Sequence, residues 1–139
     1  MRYQKVDQTY ILKIDKGESF VDSVTKLCEQ EDIKNAILSG IGAVEWVKCG
    51  YYELPTKTYH FKEYDEIVEV VNLTGNVMIK EDGLFVHAHG TFSNKENETF
   101  GGHIEDMRVG VTLEIMLTPL SSTIERTYDE EIGLYLLNI

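Results

Sequence analysis

Apolar and polar residues alternate over most of the chain, and this spacing of two is typical of β-strands. One segment after Gly17 differs, because its apolar residues recur at the i, i+1, i+4, i+7 and i+8 positions of an amphipathic helix: Phe20, Val21, Val24, Leu27 and Cys28. Ser19 and Asp22, three residues apart, resemble a capping box at its start. We therefore predict one helix from about Phe20 to Glu31.

The other apolar segments predict a sheet. One strand is expected before the helix, over residues 3–14, and further strands are expected over 36–53, 57–63, 66–80, 84–92, 109–118 and 132–138. Glu81-Asp82-Gly83 is typical of a hairpin turn, so the strands on either side of it should be antiparallel neighbours. No linker and no repeat divides the chain. The pattern predicts a single α+β domain over residues 1–139, with a mostly antiparallel β-sheet packed against one main α-helix.

Composition narrows the class of protein. The 139 residues (15.9 kDa) are 42% hydrophobic and 27% charged, which is typical of one globular domain. The net charge of −11, without a basic cluster, argues against a nucleic acid as partner. The N-terminus has no apolar signal region and no segment is long enough to span a bilayer, which predicts a cytoplasmic protein without a membrane partner. Cys28 and Cys49 are predicted to be buried, reduced thiols.

Three of the four histidines lie close together in the sequence. Strand alternation over 84–92 places His87 and His89 on the face opposite the apolar residues, with their Cα atoms about 6–7 Å apart. His103 follows a polar loop and Gly101-Gly102, which would let the backbone bring a third imidazole close. Three imidazoles could hold zinc and leave its fourth position open. The alternative is that His87 and His89 are half-exposed polar residues and His103 is a turn residue.

Two glutamates interrupt apolar strands. Glu69 and Glu114 either face water or are buried beside the histidines as a metal ligand, as a hydrogen-bond acceptor for a ligating histidine or as a general base. His60 lies apart and is predicted to be a surface or interface residue. We expect a group of aromatic residues either to be covered by a neighbouring subunit or to lie on the outer strands of a monomer: Tyr51, Tyr52, Tyr59, Phe61 and Tyr64.

Five segments carry a family resemblance by their order and spacing: 39–43 (SGIGA), 69–77 (EVVNLTGNV), 87–89 (HAH), 101–104 (GGHI) and 112–115 (TLEI). Together they resemble the PPC domain, the plants-and-prokaryotes conserved domain, in its stand-alone prokaryotic form, over nearly the whole chain. The resemblance implies an antiparallel sheet packed against a helix and a homotrimer. It also implies that His87, His89 and His103 match histidines that bind a metal in prokaryotic members, with zinc as the favoured metal. The family has no settled catalytic activity.

Three functions follow as hypotheses. The first is a trimeric metal-binding protein that binds or hydrolyses a small molecule at an open three-histidine site, where zinc is favoured although imidazole also suits copper, nickel and iron. The second is a DNA-binding or transcription-associated regulator, by analogy with plant members that resemble this domain and carry an AT-hook, whose Arg-Gly-Arg segment this chain lacks. The third is a trimeric scaffold in which a carboxylate such as Glu114 closes the metal site.

A dinucleotide-binding site is not predicted, because Gly40-x-Gly42 lacks the third glycine of such a site.

Overall fold

The computed structural model describes residues 1–81, 83–121 and 123–139. Within these ranges the chain forms one α-helix, a short 3-10 turn at Leu54–Thr56 and nine strands. The helix α1 spans Phe20–Gln30, and the strands are β1 (Arg2–Val6), β2 (Thr9–Asp15), β3 (Ala36–Glu53), β4 (Thr58–Tyr64), β5 (Val68–Lys80), β6 (Gly83–Ser93), β7 (Thr99–Pro119), β8 (Glu125–Asp129) and β9 (Leu134–Leu137). The predicted α+β class, with mostly antiparallel strands and one main helix, is confirmed.

The long strands close into a ring. β3 pairs with both β5 and β7, and β6 pairs with the same two strands on the other side. β2 extends the sheet from β7, β1 extends it from β2, and β4 pairs with the second half of β3. These pairings are antiparallel, whereas β8 pairs in parallel with the end of β5 and leads into β9. The ring brings β6 and the first part of β7 together beside the β8–β9 hairpin.

The helix packs against the inner face of the sheet. Ser19 caps it, because its side-chain oxygen accepts a hydrogen bond from the Asp22 backbone N–H at 3.1 Å. The apolar stripe of the helix is buried with the strand residues that alternate inward, among them Phe20, Val24, Leu27, Phe92, Leu113 and Ile115. Burial of each such side chain contributes roughly 1.5–3 kcal/mol. The helix is thus held by its apolar spacing, as predicted.

Three strand predictions need correction. The segment 3–14 is two antiparallel strands, because the chain turns at Asp7, which has a left-handed φ of 53°. The strand expected over 109–118 begins ten residues earlier, at Thr99, since pairing with β6 holds its glycine-containing start extended. Residues 125–129 were not expected to form a strand, because ERTYD has no apolar alternation. The other predicted strands agree with the structure within a few residues.

The predicted antiparallel pairing across the hairpin turn is confirmed by the Lys80–Gly83 register of β5 and β6, while Asp82 lies outside the described residues.

Cys28 and Cys49 are buried free thiols, as predicted, and burial raises the pKa of Cys28 to about 12. Among the described residues, no helix has both the length and the apolar character needed to cross a membrane.

Candidate metal centre and the adjoining cavity

The pairing of β6 with β7 places the three histidines together. His89 lies opposite His103 in the ladder, and His87 lies two residues earlier on the same face of β6. One nitrogen from each imidazole lies within 4.8 Å of the others. The three residues could therefore hold one metal ion. Of the apolar residues predicted for the opposite face of β6, Val86, Ala88 and Phe92 are buried in the core, and Leu84 is partly buried against it.

The position of His103 is set by the close packing of neighbouring strands. At this point the strand β7 pairs with both β3 and β6. Gly50 lies opposite His103, and Gly90 lies opposite Gly102. A Cβ atom on Gly102 would overlap the carbonyl oxygen of Gly50, and one on Gly101 would overlap that of Gly90. The two glycines therefore bring His103 to the site through close backbone approach within a strand. The apolar pattern of the sequence predicts no strand at these two glycines, which lie within β7.

Burial keeps two of the imidazoles neutral. The pKa of His87 is lowered to about 4, first by burial and then by the positive charge of Arg126. The pKa of His103 is also lowered to about 4, again chiefly by burial. A neutral imidazole has the free lone pair that a metal ion requires. Within the described part of the chain, the buried Nδ1 atom of His103 has no hydrogen-bond partner, which suits an atom that binds a metal ion. The residues present therefore fit a divalent transition metal.

A buried arginine lies beside the histidines. Arg126 of β8 is only 7% exposed. Its Nη2 atom donates to the Nδ1 atom of His87 at 3.1 Å and to the Oδ1 atom of Asn76 at 2.9 Å, while Nη1 donates to the backbone oxygen of Tyr135 at 3.0 Å. Since a guanidinium cannot accept, His87 Nδ1 is the acceptor in this contact. A metal on the other ring nitrogen of His87 would require a proton on Nδ1, and that would release one N–H of Arg126.

His87 and His103 line a cavity of about 350 Å³. Strands β4 to β7 supply one wall of the cavity, and the hairpin of β8 and β9 supplies the other. The aromatic part of this lining includes Tyr59, whose ring centroid lies 4.8 Å from that of His103, and Phe85, whose ring lies 5.5 Å from the Arg126 guanidinium. Lys80 lies over the Tyr135 ring at 4.5 Å. The cavity therefore combines an aromatic surface with positive charge.

The other predicted site residues lie elsewhere. Glu69 and Glu114 are exposed and share a shallow groove with Ile41 and Thr112, away from the residues that line the histidine cavity. In this chain neither carboxylate is buried beside the histidines. His60 is exposed and stacks on Tyr51, which agrees with the predicted surface position. Of the aromatic residues, Tyr51 is 61% exposed, whereas the side chains of Tyr59 and Phe61 line the cavity.

Comparison with known proteins identifies the family. The sequence profile of the Plants and Prokaryotes Conserved (PCC) domain matches residues 1–121. The chain belongs to this family. The predicted resemblance is confirmed, and the strands β8 and β9 of this PCC protein follow the matched residues. No curated protein matches the sequence significantly.

Solved structures agree with the PCC fold. A metal-containing protein from Archaeoglobus fulgidus is 33% identical, with a TM-score of 0.90 over 100% of this chain and 99% of that chain. A plant- and prokaryote-conserved protein from Pyrococcus horikoshii is 32% identical, with a TM-score of 0.89 over 99% and 94% of the two chains. A proposed DNA-binding protein from Ralstonia eutropha JMP134 is 30% identical, with a TM-score of 0.92 over 99% and 95%.

Several residues of the cavity were not predicted from the sequence. Arg126 is a single basic residue in a polar segment, and its contact with His87 depends on the parallel pairing of β8 with β5. Lys80 and Phe85 flank the hairpin turn and gave no separate signal. Tyr59 and Phe61 belong to the predicted aromatic group, but their contacts with the histidines depend on strand pairing. Only the alternation of β4 could have suggested that these two side chains share a face.

Proposed function

We propose that this PCC protein binds a divalent transition metal through His87, His89 and His103 and presents it to a small molecule in the adjoining cavity. Zinc is the metal we favour. The observation that carries the proposal is the convergence of three imidazole nitrogens within 4.8 Å, two of them from His87 and His103, which line that cavity. The similarity to the metal-containing protein of Archaeoglobus fulgidus supports the same assignment. Three histidine ligands leave a zinc coordination position for water or for the small molecule.

The side chains of this chain have separate tasks in the proposed function. The histidines supply neutral nitrogen ligands, and the lowered pKa of His87 and His103 keeps protons from competing for them near neutral pH. When bound, zinc would polarise a ligand oxygen or lower the pKa of a bound water to about 7. Arg126 provides fixed positive charge, while Tyr59, Phe61 and Phe85 exclude water from the cavity wall. These features suit ligand binding or hydrolysis.

Metal content tests this proposal. Protein purified without an affinity tag or chelator is analysed by inductively coupled plasma mass spectrometry beside His87→Ala, His89→Ala and His103→Ala. We expect about one zinc per chain in the parent and almost none in each variant. His60→Ala is the matched control, because His60 lies on the surface outside the cluster, and it should keep the metal. Absence of metal from the parent, even after zinc has been added and the excess removed, would refute the proposal.

The proposed assembly is a homotrimer in which the outer face of the sheet is covered by neighbouring copies. The support is a set of exposed apolar residues on β2, β3, β5 and β7, each more than 40% exposed: Ile11, Ile37, Ile41, Val71 and Met116. Exposed apolar surface of this kind marks interaction sites. Light scattering coupled to size exclusion should give three times the 15.9 kDa chain mass, and Ile41→Lys should lower it. A monomer mass for the parent would exclude the trimer.

A DNA-binding role is the second candidate. It is favoured by the proposed activity of the Ralstonia eutropha neighbour and of a protein from Bacteroides thetaiotaomicron that is 26% identical and has a TM-score of 0.94. The net charge of −11 opposes it, since DNA phosphates would be repelled. Fluorescence anisotropy with a labelled A·T-rich duplex at low and physiological salt tests this role. Binding that persists at physiological salt would favour DNA as a partner, and its absence would reject this candidate.

A further inference from the structure

Arg126 carries a positive charge that the fold does not neutralise. None of the ion pairs among the described residues includes it, although Arg126 is only 7% exposed. Its three hydrogen-bond partners are a backbone carbonyl, an amide oxygen and an imidazole nitrogen, which are all neutral groups. A buried charge ordinarily has a partner of opposite charge. An anionic group on a ligand would supply that partner.

The donors of Arg126 are incompletely used. A guanidinium has five N–H groups, and the described contacts occupy three of them. Its Nε atom is buried and has no hydrogen-bond partner among residues 1–81, 83–121 and 123–139. Metal binding at His87 through the other ring nitrogen would release a further N–H, because Nδ1 would then carry a proton. Arg126 thus lines the cavity with unused capacity to donate hydrogen bonds to an acceptor.

The remaining lining defines the rest of the ligand. The wall around Arg126 is largely aromatic and aliphatic, with Phe61, Phe85, Leu134 and Leu136 among its members. Such a surface is better suited to a ligand with a hydrocarbon body than to a highly charged ligand. Burying a monoanion also costs less free energy than burying a phosphate dianion. Glu105 also lines the cavity, but Lys48 pairs with its carboxylate at 3.0 Å. A guanidinium matches the planar geometry of a carboxylate.

We propose that the cavity binds a small organic carboxylate, with Arg126 pairing with the carboxylate group and the aromatic wall covering the hydrocarbon body. This inference deepens the proposed function and rests on it, because it names the class of small molecule that the metal would meet. The β8–β9 hairpin is the essential part of this pocket. It supplies Arg126 and the lining residues from Tyr128 to Leu136, all of them after the residues that the PCC profile matches.

The test compares a carboxylate with its neutral counterpart. 3-Phenylpropanoate and 3-phenylpropanamide are titrated into the full-length protein by isothermal titration calorimetry. The two probes have the same hydrocarbon body, so only the charge of the head group distinguishes them. We expect the acid to bind about tenfold more tightly than the amide, as for a charge-assisted hydrogen bond over a neutral one. Equal affinities, or no binding of the acid up to roughly 10 mM, would overturn the inference.

Variants locate the effect at one side chain. Arg126→Gln should reduce the preference for the acid to near unity, whereas Arg126→Lys should keep part of it. The matched control is Arg2→Gln, which removes the same charge from an exposed position on β1. It should leave the preference unchanged. Retention of the full preference in Arg126→Gln would overturn the assignment to Arg126, and the acid–amide comparison in the parent does not depend on the folding of any variant.

Metal content separates this inference from the proposed function. Each titration is done on zinc-loaded protein and on chelator-treated protein, and zinc is measured in the same samples. A preference for the acid without any zinc binding would uphold the carboxylate pocket and refute the metal centre. Zinc binding without a preference for the acid would uphold the metal centre and refute the carboxylate pocket.

Discussion

The histidine cluster and the pair of glutamates, Glu69 and Glu114, are both polar groups on strands of one sheet, but they differ in what surrounds them. His87 and His103 are partly buried beside a cavity that the β8–β9 hairpin helps to enclose, whereas the two glutamates are exposed in a shallow groove. Burial lowers the pKa of both histidines and leaves them neutral. A polar residue in an apolar strand becomes a candidate site when other parts of the chain cover it.

Removal of one histidine should separate the two regions most strongly. His89→Ala should lower zinc affinity by more than the roughly 10–100-fold that loss of a residue supporting a metal ligand costs. Glu114→Gln should leave zinc affinity unchanged. Competition titration with a chromophoric chelator measures both variants. Equal loss of affinity in the two would show that the glutamate takes part in the site, for example across a subunit boundary.

The close approach of β7 to β3 should matter next. Gly102→Ala should lower the free energy of unfolding by roughly 1–3 kcal/mol, since the added methyl overlaps the Gly50 carbonyl and forces the strands apart. Gly83→Ala is the matched control, because open space surrounds that position. Urea denaturation followed by circular dichroism gives both values. Similar stability of the two variants would contradict the packing described for His103.

The histidines should also make the metal-free protein sensitive to acid. Their native pKa of about 4 lies below the ordinary value of 6.5, so the unfolded chain binds more protons than the native one in this window. Stability should be complete above about pH 6.5 and should fall as the pH falls towards 4, by roughly 1–3 kcal/mol after allowance for solvent screening.

Urea denaturation of chelator-treated protein across this pH range measures the effect. The variant with His87→Gln and His103→Gln should lose most of the slope between pH 6.5 and 4. An unchanged slope in that variant would assign the acid sensitivity to other groups.

The smallest effect is expected at the exposed glutamates. Glu69→Gln and Glu114→Gln should each change the free energy of unfolding of the isolated chain by no more than about 0.5 kcal/mol, because water already solvates both carboxylates. Thermal unfolding at low protein concentration measures this. A loss of several kcal/mol would mean that these carboxylates are covered in solution.

Local pattern was sufficient for some elements and insufficient for others. The helix follows from its apolar spacing, because those residues contact the core through one repeating face, and its Ser19 cap follows from the three-residue spacing of Ser19 and Asp22. The division of 3–14 at Asp7 was missed, since the apolar alternation continues through the turn. The start of β7 was missed because its glycines are typical of loops, although close strand packing requires them here.

The sequence by itself determined which side chains share a face. Alternation along β6 placed His87 and His89 together and opposite the core, and this depends only on local backbone geometry. Only the tertiary structure decided that His103 lies opposite His89, that Glu69 and Glu114 lie elsewhere, and that Arg126 reaches His87. Those relations depend on pairing between strands far apart in the chain. Such pairing is set by the packing of the whole core and leaves no local periodicity.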